Sequence, residues 1–118
     1  MPANANLALF TRFTTLVGDG SGTTSFTTTP VDVSRFGSAQ FQAWRGKITS
    51  ATGKSFKVYL EESLDGETWS TPPGNAIGFD PGDEGTKLFS YAFRLRWFRV
   101  RVDFKGEFVT CWAEGLLR

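Results

Sequence analysis

A chain of 118 residues and 13.0 kDa is the length of one domain, large enough to bury a core without disulfide or metal staples. Its 13 Lys and Arg against 12 Asp and Glu leave a formal charge of +1, which argues against holding nucleic acid by bulk charge. There is no histidine and only one cysteine, Cys111, so Ser-His, Cys-His and His-metal schemes, an intrachain disulfide and a cysteine zinc cluster are all excluded. The aromatic content of 15% excludes a disordered polar chain, and the balance points away from common enzymes and towards binding or assembly.

Residues 1–6, Met-Pro-Ala-Asn-Ala-Asn, lack the basic start and long apolar stretch of a secretion signal. They are expected to form an N-terminal arm ahead of a single domain at 7–118. Nowhere do the roughly 18 consecutive apolar residues of a membrane helix occur.

Twelve Phe, thirteen Gly and many Thr and Ser, with few strong helix formers, predict an all-β domain. The first strand is expected at 7–17, ending in the Gly-rich loop 18–22, which neither follows the geometry nor opens the helix that a phosphate loop needs. A Thr-rich strand at 23–29 is broken by Pro30, and Val31-Asp32-Val33 resumes the alternation. Residues 39–50 form the next strand, with Phe41 and Ala43 on one face and Gln40, Gln42 and Trp44 on the other. A hairpin loop at 51–54 leads to Phe56, Val58 and Leu60 alternating with Lys57, Tyr59 and Glu61. Asp65-Gly66 supplies a turn, and residues 71–85 are loop-rich with a short apolar piece at Ile77 and Phe79.

Residues 88–95 also fit a helical stripe, but the strand reading is preferred; it puts Phe89, Tyr91 and Phe93 on one side. Because Phe98 must then face inward, a bulge or turn near 94–97 has to absorb a register flip. Phe98, Val100, Val102 and Phe104 share one face of the next strand, with Arg99, Arg101 and Asp103 on the other. A final strand at 107–117 places Phe108, Thr110 and Trp112 opposite Val109, Cys111 and Ala113. About eight strands of this length predict a two-sheet antiparallel β-sandwich of jelly-roll type.

Two stretches carry a family likeness: Pro30-Val31-Asp32-Val33-Ser34, and Val58 through Trp69 with its Ser63-Leu64-Asp65-Gly66-Glu67-Thr68-Trp69 hairpin. Together with Phe98-Arg99-Val100-Arg101-Val102, they resemble discoidin-like β-sandwiches and the small β-sandwich virion proteins of tailed bacteriophages, head decoration (cement) proteins included. The chain is shorter than discoidin domains and has one cysteine where those often carry a pair, which turns the resemblance towards the phage proteins. The resemblance implies a non-enzymatic virion component on the capsid surface, assembled in the host cytoplasm. It would bind the major capsid protein or other virion proteins as a trimer or other small homo-oligomer, without nucleic acid, membrane or cofactor.

The candidate contact elements are Arg94, Arg96, Trp97, Arg99 and Arg101, with Pro2, Asn4 and Asn6 of the arm. Arginine suits interfaces because its planar fork pairs carboxylates bidentately, although such a row also describes an ordinary solvated sheet face. Arg12 and Arg45 would extend the patch if strand order allowed. The alternative function is a carbohydrate-binding sandwich in which Trp69, Trp97 or Tyr91 stacks on a sugar; a tail or baseplate component is a further one. No catalytic or metal-ligating set is expected. Glu61 and Glu62 are adjacent and so face opposite ways in a strand. Asp80, Asp83 and Glu84 lack the spacing of a calcium loop, and Cys111 reads as an inert buried thiol.

Overall fold

The alternation that dominates the sequence is realised as strands throughout. A computed structural model describes residues 5–19, 22–49, 54–71, 76–79 and 85–118, and among them are nine β-strands. They are β1 (Ala5–Val17), β2 (Thr23–Thr27), β3 (Val31–Asp32), β4 (Ser38–Arg45), β5 (Ser55–Ser63), β6 (Ala76–Phe79), β7 (Gly85–Ala92), β8 (Trp97–Lys105) and β9 (Phe108–Leu117).

Sheet I has the order β1-β9-β4-β7, and sheet II the order β2-β8-β5-β6 with the two-residue β3 also on β8. The pairing follows one rule. The first strand pairs the last (β1 with β9), the second pairs the penultimate (β2 with β8), and so inward through β4 with β7 to β5 with β6, all antiparallel. That is a long hairpin folded into two antiparallel sheets, a β-sandwich, as the strand count and patterning lead one to expect.

Alternation sets which residues meet between the sheets. On β8, Phe98, Val100, Val102 and Phe104 are essentially fully buried, and on β9 Val109, Cys111 and Ala113 are buried, so both strands face the way the sequence pattern indicates. Phe41 of sheet I stacks on Phe98 of sheet II with ring centroids 5.5 Å apart, joining the two layers at the centre. Each such aromatic contributes about 1.5–3 kcal/mol by leaving water. The cavity inside the sandwich, lined by Phe56, Val58, Cys111 and their neighbours, is about 10 Å³, room for no more than a single water.

Three departures from the sequence reading have local causes. The strand from Ser38 stops at Arg45; Gly46 passes close to the Trp44 ring, where a Cβ would sit 2.9 Å away, and contact with β9 goes on through the Gly46 N–H to Thr110 O bond at 2.8 Å and an isolated Thr49–Phe108 bridge. Residues 93–96, between β7 and β8, are irregular and absorb the flip that brings Phe98 inward, so no helix forms. Ala5 and Asn6 are strand residues paired with Leu117 and Leu116, so β1 begins two residues before the expected start at Leu7 and Asn6 is part of the sheet. Pro2 and Asn4 lie outside the described residues, as do Asp80, Asp83, Glu84, most of the 51–54 loop, and Gly20 and Ser21 of the Gly-rich loop.

Candidate functional site

The outer face of sheet II collects the arginine row. β5 and β8 pair so that Glu61 lies opposite Arg99, Tyr59 opposite Arg101 and Ser63 opposite Trp97. Glu61, 3% exposed, accepts from Arg99 Nε at 2.8 Å on one oxygen, and from Arg101 Nη1 at 2.8 Å and Thr71 Oγ1 at 3.2 Å on the other. Arg101 Nε lies 3.2 Å from Asp103 Oδ1, an ion pair without hydrogen-bond alignment, and Asp103 also accepts from Ser25 Oγ at 2.7 Å. The guanidinium of Arg99 covers Trp69 at 4.3 Å and that of Arg101 covers Tyr59 at 4.4 Å. Arg99 and Arg101 are therefore half-buried members of a closed, charge-balanced network.

Arg96 and Arg94 differ from these two. Arg96 is exposed and pairs Asp32 through Nη2 at 2.9 Å and Nε at 3.1 Å. Asp32 is held down to a pKa of about 2 by the Ser34 hydroxyl and N–H and then by Arg96. Trp97 faces outward beside Asp32 and lies against Gly66, whose φ of +80° suits glycine and turns the 64–69 loop beside the indole. Asp65 organises that loop: its Oδ1 accepts from Thr68 N at 2.9 Å, Glu67 N at 2.8 Å and Ser63 Oγ at 2.9 Å, which lower its pKa to about 2. Arg94 is exposed in the β7–β8 connection, where its N–H is fixed by Glu62 at 2.7 Å.

Glu62 lies on the opposite side of β5 from Glu61, as adjacent strand residues must. It is 1% exposed. It receives Tyr91 Oη and the N–H groups of Arg94 and Leu95, tying β5 of sheet II to β7 of sheet I. Burial, then the hydroxyl's bond to Glu62, raises the Tyr91 pKa. The two carboxylates thus serve separate structural networks and do not converge on one cleft. Burial also raises the pKa of Cys111, to about 11, keeping it a thiol.

These placements bear on the sugar-stacking alternative. Tyr91 is buried and bonded to Glu62, Trp69 lies under Arg99, and Trp97 is engaged by Gly66 with Arg96 at 5.5 Å from its ring. Among the described residues there is no group of three or more His, Cys, Asp or Glu placed to hold a metal ion.

The outer face of sheet I is of another kind, and sequence reading passed it over. Between Phe10 and Thr14 the register of β1 slips against β9, and residues 11–13 bulge out over the sheet. Arg12 lies 4.0 Å above the Trp112 ring and pairs Glu114 at 2.7 Å, while Phe13 meets Trp44 edge-on at 5.6 Å. Trp112 is covered to 7% exposure by this arrangement, but Phe13 itself is 66% exposed. On the same face Leu88 is 79% exposed, and Val17 and Phe108, paired across β1 and β9, are 67% and 48% exposed. The alternation of β7 carries the signal for Leu88, since Phe89 and Tyr91 on the core side leave Leu88 outside. Nothing local in the sequence announces the bulge that lifts Phe13.

This class of architecture, a sandwich of two antiparallel sheets, is shared with a solved structure. No family model matches the chain, and no curated protein matches it in sequence. The fold is similar to that of the PBSX exported protein XepA, with a TM-score of 0.66 over 96% of this chain and 36% of XepA, at 13% sequence identity. The chain therefore spans about a third of XepA's length, and the likeness establishes a common fold.

Proposed function

We propose that this chain is a non-enzymatic structural protein of a phage particle, most specifically a decoration protein that binds and stabilises the head shell. The observation that carries the reading is the fold shared over nearly the whole chain with XepA, a protein of phage PBSX. The phage-protein resemblance of the 30–34, 58–69 and 98–102 stretches adds to it. A rigid sandwich whose polar groups are consumed in internal networks acts by the shape of its surface. Binding only the assembled shell, it stabilises that shell by mass action. The exposed groups suited to such contacts are Arg94 and Arg96 at one end of the sandwich and Phe13, Val17, Leu88 and Phe108 on the outer face of sheet I.

The test is co-sedimentation of the purified chain with heads lacking it, together with the melting temperature of those heads. Saturable binding that raises the melting temperature supports decoration. Cross-linking to tail proteins in place of the major capsid protein would move the chain to the tail or baseplate, and turnover of a substrate would end the reading.

A further inference from the structure

The free edge of sheet I offers a second, more specific contact. β7 pairs β4 without interruption from Ser38–Ala92 to Arg45–Gly85, and among the described residues no strand pairs its other side. The opposite edge, β1, is broken by two register shifts, β6 has four residues, β2 five and β3 two, so among the described residues β7 is the longest regular edge. Such an edge presents a row of backbone N–H and C=O groups that only another extended backbone can satisfy. It contains no proline and one charged residue, Lys87. Leu88 projects from it at 79% exposure, the most exposed of the large apolar side chains among the described residues, and a shallow depression lined by Gln40, Phe41, Phe89 and Ser90 lies beside it.

We infer that β7 pairs antiparallel with β7 of a second copy of this chain, about a two-fold axis at Leu88, joining the two four-stranded sheets into one. Directly opposed residues of an antiparallel pair point to the same face, so only registers that match outer-face with outer-face residues are allowed. Of the symmetric ones, centring on Lys87 sets two like charges opposite each other, which is unfavourable. Centring on Leu88 sets Leu88 against its own copy beside the depression and Lys87 against Phe89 of the other chain. The contact is self-complementary and closes at two copies, using up the edge that would otherwise recruit strands indiscriminately. It stands on the edge geometry and does not depend on the virion reading.

Sedimentation of the full chain across concentration, with Leu88→Lys and Leu88→Cys variants, tests it. The wild type is expected to reach a dimer. Leu88→Lys should weaken dimerisation by about tenfold or more, the loss expected when a buried leucine is replaced by a charge. Its far-ultraviolet spectrum should be unchanged, and its melting temperature should equal that of the wild type at concentrations where both are monomeric. Leu88→Cys should form a disulfide-linked dimer under mild oxidation, while Leu64→Cys, at a site 74% exposed on the 64–69 loop, should not. A monomer at every concentration overturns the inference, whether or not Leu88→Lys alters head binding. So does a dimer that Leu88→Lys leaves intact, or a Leu64→Cys variant that cross-links as fast as Leu88→Cys.

Discussion

On the outer face of sheet II, two arginines, a buried glutamate and two aromatic rings satisfy one another; on the outer face of sheet I, four large apolar side chains stand in water while an exposed ion pair, Arg12–Glu114, holds a bulge over two tryptophans. The sequence draws the eye to the first face, because Arg94, Arg96, Arg99 and Arg101 form a conspicuous row. The structure shows that two of the four, Arg99 and Arg101, are paired inside the fold. Arg99 and Arg101 have found their carboxylate within the fold, and a partner would have to compete with Glu61 for them. The apolar groups of sheet I have no such internal partner to lose.

The contrast can be broken by mutation. Glu61→Ala should have the largest effect, since it leaves two half-buried guanidiniums without their shared carboxylate. Removing one member of a fully buried pair costs about 3–5 kcal/mol, and the partial exposure of these arginines reduces that to about 2 kcal/mol of unfolding free energy, measurable by urea denaturation. Arg12→Ala on the other face should cost about 0.5–1 kcal/mol, because its ion pair is exposed and only the stacking on Trp112 adds to it. Acrylamide quenching of tryptophan fluorescence should rise in that variant as Trp112 is uncovered.

Acid sharpens the same contrast from the loop side. Asp32 and Asp65 have pKa values near 2 in the folded chain against an ordinary 3.8. Depressed carboxylates contribute stability that is complete above the unfolded value and is lost as pH falls from about 4 towards 2. The melting temperature should therefore drop across that window, and Asp32→Asn with Asp65→Asn should flatten the drop. The smallest effect on the fold is expected from Leu88→Lys and Phe13→Ser, within about 0.5 kcal/mol by the same denaturation measurement, since neither side chain is buried. On the proposed decoration reading, these two variants lose binding to heads, whereas Glu61→Ala keeps it wherever it remains folded.

Much of the sandwich was legible because its strands alternate strictly: β5, β8 and β9 declare their core faces residue by residue, and the flip between Tyr91 and Phe98 forces a break that the structure places at 93–96. What could not be read depends on which strands become neighbours. Arg99 and Arg101 reach Glu61 across 38 and 40 residues of chain, a meeting set only by the pairing of β5 with β8. Arg45 lies in the register of Ala39, Phe41 and Ala43 and is wholly buried, its Nη1 bonded to Gly46 O at 3.0 Å, so it adds nothing to a surface patch. Trp112 faces outward as its parity requires, yet is shielded by a bulge whose position follows from the register of β1 on β9.

Quantitative mass spectrometry of purified phage particles from the source of this chain, counting the chain against the major capsid protein, tests the proposed structural-protein reading most directly. A fixed, integral ratio of copies per capsid subunit, retained after salt washing, is the expected result. Absence from the particle, or a variable trace that washes away, would contradict it.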